Sequence, residues 1–126
     1  MTHSVKDLLA RANECVPKIS VEEARRLINE ENALLVDVRD APELSASGNL
    51  AGATNVSRGM LEFRADRSTP YHNPELRTDR PIILYCASGG RSCLSGKALQ
   101  DLGYSKVYNL GGFKEAAEAG FPTDAA

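Results

Sequence analysis

The run Ile82-Ile83-Leu84-Tyr85-Cys86-Ala87-Ser88-Gly89-Gly90-Arg91-Ser92 leaves this chain few ways to fold. A short apolar, β-branched segment ends in a cysteine, and two glycines follow within four residues. An arginine and a serine then open a stretch with Cys93, Leu94, Ala98, Leu99 and Leu102 at helical spacing, stopped by Gly103. The pattern predicts a strand, a tight loop and a helix, with the sulfur at the junction. A second apolar run that ends in an acid, Ala33-Leu34-Leu35-Val36-Asp37-Val38, reads as another strand buried on both faces, which is the mark of a parallel sheet.

The rest of the chain fits between these two runs. Ser4 is placed to cap a helix carrying Val5, Leu8, Leu9, Ala12 and Val16 on one face, with Pro17 ending it; Cys15 is read there as a packing residue. Lys18-Ile19 can form a short strand, and Ser20-Val21-Glu22-Glu23 has the pattern of a capping box for a second helix bearing Ala24, Leu27 and Ile28. Pro42-Glu43-Leu44 suits a single helical turn, Ala53-Thr54-Asn55-Val56 a strand, and Ser57 the cap of a brief helix from Arg58 to Arg64. Residues 66–80 read as a long surface loop. Val107 to Leu110 suit the last strand, and Phe113 to Ala119 the last helix. Strands alternating with helices at these intervals predict an α/β domain with helices on both faces of the sheet.

At 126 residues one domain is expected, large enough to bury a core without staples. The net charge of −2, with no cluster of Lys and Arg, argues against a nucleic-acid surface or a polybasic membrane patch. The opening residues lack the basic start and apolar run of a secretory leader, and no stretch approaches membrane-spanning length, so a cytoplasmic location is expected. Cys15, Cys86 and Cys93 form an odd set without CxxC spacing, which suits neither a disulfide framework nor a zinc site.

The chemistry is expected at Cys86. A cysteine at the carboxyl end of a strand, with a helix starting a few residues on, faces unpaired N–H groups and the positive end of that helix. Such settings favour thiolate over thiol and make the sulfur nucleophilic near neutral pH. A cysteine ending a buried strand is ordinarily a packing residue, but packing requires neither Gly89 and Gly90, which let amides curl around an anion, nor Arg91, whose donor fork suits an incoming oxyanion.

With these pieces in place the chain resembles a single-domain rhodanese, a sulfurtransferase module, from about Ile19 to Pro122. The resemblance is carried by Leu35 to Glu43, by Gly48 with Gly52 to Val56, by the Cys86 to Ser92 loop, and by Asn109-Leu110-Gly111-Gly112-Phe113, all in the family's order. It implies a doubly wound, mainly parallel sheet of about five strands with the reactive loop at its carboxyl edge, an amino-terminal helical extension over 1–17 and the rhodanese-like domain over 18–126. The implied activity is transfer of sulfane sulfur from thiosulfate or a persulfide to a thiophilic acceptor such as cyanide or a thiol. Cys86 would carry the sulfur as a persulfide, and the amides of Ala87, Ser88, Gly89, Gly90 and Arg91 would bind it, with no metal or organic cofactor. Its partners would be a small sulfur-containing anion or persulfide and a protein sulfur acceptor.

The alternatives are a sulfur-carrier or protein-interaction module with little small-donor activity and, less favoured, a phosphatase or arsenate reductase. Four residues separate Cys86 from Arg91, whereas related phosphatases carry one more; the smaller ring suits a single sulfur atom. The chain departs from the family at Asn49, where a His is common, and at Ala116 and Ala117, where a Trp is common. Ala87 and Ser88 are uncharged where several thiosulfate-using members have a basic residue, so a persulfide donor stands level with thiosulfate.

Three further residues are assigned supporting roles. Asp37 and Arg39 are placed to orient the loop or each other or, with Arg39 reaching Glu43, to pin the turn. Arg58 is either a solvated surface arginine or a guide for anions. His3 and His72 have no partner visible in sequence to make either a general base. Cys93 is expected to point into the packed face, with a resolving-thiol role open, and both a monomer and a homodimer fit the amino-terminal helix.

Overall fold

The computed structural model describes residues 3–125; Met1 and Thr2, the start of the expected helical extension, and Ala126 lie outside the described residues. In order come α1 (Val5–Cys15), α2 (Val21–Glu31), β1 (Leu34–Asp37), α3 (Ala41–Ser47), β2 (Asn49–Leu50) and β3 (Thr54–Asn55). A 3-10 turn (Arg58–Met60) leads into α4 (Leu61–Ala65), β4 (Ile82–Cys86), α5 (Gly90–Asp101), β5 (Val107–Gly112), α6 (Phe113–Glu118) and β6 (Thr123–Asp124).

The two apolar runs pair side by side in a parallel four-stranded sheet of order β3-β1-β4-β5. Lys18 extends it by a single parallel bridge to Asn109 beside β5. Because successive strand residues point to opposite faces, the runs split into two cores. Leu34, Val36 and Val38 with Ile82, Leu84 and Cys86 face Leu61, Leu99 and Tyr104, whereas Leu35, Ile83 and Tyr85 face Ala24, Leu27, Ala116 and Phe121. Burial on both faces is why neither run alternates with polar residues. An additional antiparallel pair, β2 with β6, closes one end through short strands that carry no sequence periodicity.

Several local expectations are met and several are modified. Ser4 forms a full capping box with Asp7. Ser20 accepts from the Glu23 N–H, but the Glu23 carboxylate turns outward to Arg26, so only half of the second box forms. α3 is longer than the single turn expected, and Ser57 makes no side-chain cap. In the 66–80 segment Leu76 is fully buried, and its carbonyl accepts from the Tyr104 hydroxyl, anchoring the loop. α1 lies on α5 through Ala12 and Val16, leaving Val5 and Leu8 exposed. Cys15 is exposed rather than packed, because it falls on the outer face of that helix while its carbonyl accepts from Gln100.

Candidate active site

Cys86 is the last residue of β4 and is 1% exposed. Its Sγ accepts from the Gly89 N–H at 3.0 Å and lies 3.5 Å from the Ser92 hydroxyl. Burial works to push the thiol pKa up, but the Ser92 hydroxyl and the N–H groups of Ser92, Gly89 and Ser88 outweigh it and bring the pKa below its ordinary value.

The loop curls inward because Gly89 takes a φ of +104°, a conformation unfavourable to residues with a Cβ. A Cβ there would also press to 3.3 Å on the Gly111 Cα. Gly90, by contrast, simply begins α5, and the nearest atom to a Cβ at that position is a Leu9 methyl at 3.9 Å. Ala87 and Ser88 are exposed at the rim.

β5 is irregular beside this loop. Leu84 pairs with Asn109 but Tyr85 with Gly111, so Leu110 is an extra residue and the strand bulges. Asn109 Oδ1 accepts from the Gly111 N–H (3.0 Å) and from the Ser92 hydroxyl (2.7 Å), and its amide donates to the Gly89 carbonyl. Asn109 thereby ties the bulge, the loop and the first turn of α5 together. The Ser92 hydroxyl has one proton and three acceptors within reach: Asn109 Oδ1, the Gly89 carbonyl at 3.1 Å and the sulfur.

The charged residues depart from expectation. Arg91 does not present a free fork: its two terminal nitrogens donate to both carboxylate oxygens of Glu43 at 2.7 and 2.8 Å. The Arg91 hydrogen bond pushes the Glu43 pKa down to about 2. Arg39 therefore does not reach Glu43 to pin a surface turn. It is 3% exposed and forms a bidentate pair with the fully buried Asp37, donating also to Ser47 Oγ and the Gly48 carbonyl. Its guanidinium carbon stands 4.5 Å from the Phe113 ring centroid, so the pair is satisfied on every side. Through Gly48 and Ser47 it fixes the end of α3, the helix that carries Glu43 to Arg91.

Arg58 pairs with Glu62 at 2.7 Å and lines a groove between α1 and α5 that includes none of residues 86–91. His3 meets Arg11, and His72 meets the Leu76 carbonyl. Cys93 is buried, its sulfur 3.1 Å from Asn13 Oδ1, and burial first and the nearby Cys86 charge second push its pKa up. Among the described residues no group of three or more His, Cys, Asp or Glu side chains is placed to hold a metal, and no helix is long and apolar enough to cross a membrane.

Three residues that sequence reasoning left out of the site thus touch it: Ser92, Asn109 and Glu43. Ser92 and Asn109 stood inside the motifs already noted, and a hydroxyl one helical turn from the loop's start was the available signal. Glu43 lies 48 positions from Arg91 in the chain, and nothing local marks the pairing.

Comparison with known proteins finds that a rhodanese-like domain family model matches residues 20–119. The thiosulfate sulfurtransferase GlpE of Actinobacillus succinogenes is 35% identical over 113 residues, covering 86% of this chain and 91% of that protein. The uncharacterized protein YqhL of Bacillus subtilis is 37% identical over 84 residues, covering 66% of this chain but only 60% of that protein. Among solved structures, a protein of unknown function from Rhodopseudomonas palustris, described as a possible tyrosine phosphatase, superposes with a TM-score of 0.89 at 34% identity. That match covers 98% of this chain and 96% of the other, so it extends to the amino-terminal helix.

Proposed function

The chain belongs to the rhodanese-like domain family, and from that membership we propose that it is a sulfurtransferase whose Cys86 carries the transferred sulfur as a persulfide. The observation that carries this reading is the sulfur cradle itself: Cys86 Sγ accepts from the Gly89 N–H inside a loop with only four residues before Arg91. The thiolate attacks the outer sulfur of thiosulfate or of an organic persulfide. The donor's S–S bond breaks, and sulfite or a thiolate leaves with the electron pair. Cyanide or a thiol then attacks the outer sulfur of the Cys86 persulfide, the new S–S bond breaks, and the Cys86 thiolate returns. The loop amides of Ala87 through Arg91 stabilise the negative sulfur in both states, as an oxyanion hole would.

The R. palustris neighbour's description raises phosphoryl transfer as a second reading. The short loop and the occupied Arg91 fork weigh against it, because a phosphate needs a wider ring and a guanidinium free to grip its oxygens. Three free thiols support a reducing, cytoplasmic setting.

The test incubates the protein with thiosulfate and, separately, with a small organic persulfide. Intact mass follows the gain of one sulfur atom, and thiocyanate formation from cyanide follows turnover. Sulfur held on Cys86 and released to cyanide is the expected result. Sulfur held but not released to small acceptors would favour the carrier alternative, and no gain of sulfur from either donor would contradict the proposal.

A further inference from the structure

We infer that Lys18, standing in the cleft between α1 and the outer side of the loop, supplies a field that draws anions toward the Cys86 loop; that the anion is a sulfur donor rests on the sulfurtransferase reading above. Two cations border the loop among the described residues. Arg91 is neutralised by Glu43 in a bidentate pair, while among the described residues no carboxylate forms an ion pair with Lys18 and the cleft around it has no acidic lining. Beyond the loop amides and the amino end of α5, the net charge that can attract an anion from a distance is therefore that of Lys18, since a paired charge contributes little field at a distance.

The fold holds Lys18 in place. Its neighbours lock the backbone to β5: the Asn109 N–H donates to the Pro17 carbonyl at 2.8 Å, and the Ile19 N–H donates to the Asn109 carbonyl at 3.0 Å. The Lys18 side chain lies across Gly111, where a Cβ would come within 2.8 Å of its Cε and 3.1 Å of its Nζ. Gly111, at φ +105°, in turn backs Gly89, whose N–H holds the sulfur. Only a layer of glycine backbone separates the ammonium from the cradle.

The cleft has a volume of about 370 Å³ and is walled by Lys18, Asn13, Cys93 and the loop residues Ser88 to Gly90. The next residue, Gly112, has the opposite polarity beside it. A Cβ there would lie 3.2 Å from Glu115 Oε1 and 3.2 Å from the Ser88 Cα. The loop thus has a cation, Lys18, beside Gly111 and an anion, Glu115, beside Gly112. Anions are steered to the first and repelled from the second.

The test measures alkylation of Cys86 by iodoacetate and by neutral iodoacetamide in a Cys15→Ser background, with the adduct located by peptide mass. The ratio of the two rates cancels accessibility and thiolate content, and it requires no sulfurtransferase turnover. At low salt, Lys18→Gln lowers the ratio about threefold, as expected for removing one partly screened charge. Lys18→Arg restores it, Glu115→Gln raises it, and high salt compresses all three differences. In turnover, Lys18→Gln raises the KM for thiosulfate and leaves kcat near its original value. An unchanged alkylation ratio in Lys18→Gln overturns the inference, even if sulfur transfer is active. A lowered ratio in a protein that takes sulfur from no donor leaves Lys18 as an anion guide and removes the sulfurtransferase reading instead.

Discussion

Replacing Cys86 with serine is expected to abolish the proposed sulfur transfer from thiosulfate and from persulfides, lowering turnover by at least about 10³-fold to the reagent background. The covalent route needs a sulfur that is both anionic and polarisable, and a hydroxyl in the same cradle stays protonated. The substitution is nearly isosteric, and a serine oxygen can still accept from the Gly89 N–H, so the variant folds with a melting temperature within a few degrees of the parent. Paired measurements of thiocyanate formation and thermal unfolding separate the two effects. Full turnover in the folded serine variant would show that Cys86 is not the nucleophile.

The second large effect is on stability. Asp37→Ala strips the carboxylate from an arginine that is itself 3% exposed, leaving an uncompensated buried charge at a cost of about 3–5 kcal/mol. The Arg39 contacts to Ser47 and the Gly48 carbonyl also loosen, so the end of α3 is released and with it the Glu43 that holds Arg91. A double replacement, Asp37→Leu with Arg39→Met, removes both charges and is expected to be less destabilising than Asp37→Ala alone. Denaturant midpoints for the three variants, at unchanged slope, provide the comparison. An Asp37→Ala protein as stable as the parent would mean that the pair is not buried in solution.

The strands, the loop and the two-sided core were legible because each follows from short-range chemistry. Ile82 to Cys86 and Leu34 to Val36 are apolar on both faces, and Gly89 supplies the positive φ that the turn requires. The short strand expected at Lys18-Ile19 reduces to a single parallel bridge between Lys18 and Asn109. What escaped local reading was the partnership of charges across the fold. Arg39 resembles a surface residue by type; the acid two residues earlier is a partner that local spacing offers, but the Ser47 hydroxyl and the Gly48 carbonyl that complete its buried contacts come eight and nine residues later. Glu43 is a helix-start acid by local pattern, with its carboxylate meeting the Asp40 N–H, and only the folded sheet brings Arg91 to it. The bulge at Leu110 was equally silent, because nothing in Asn109-Leu110-Gly111 marks which residue the ladder skips. That bulge is what aims Asn109 at Ser92.

The central physical claim is that the loop's N–H groups and the Ser92 hydroxyl stabilise the Cys86 thiolate despite its burial. The ultraviolet absorbance of the thiolate, followed against pH as the difference between the parent protein and Cys86→Ser, reads this directly. Because the folded-state pKa is lowered, the account predicts a midpoint below the ordinary thiol value of about 8.5. In denaturant the midpoint climbs back toward that value, so between the two the folded protein carries a thiolate and the unfolded chain a thiol. A folded-state midpoint at or above about 8.5, unmoved or lowered by denaturant, would contradict the account.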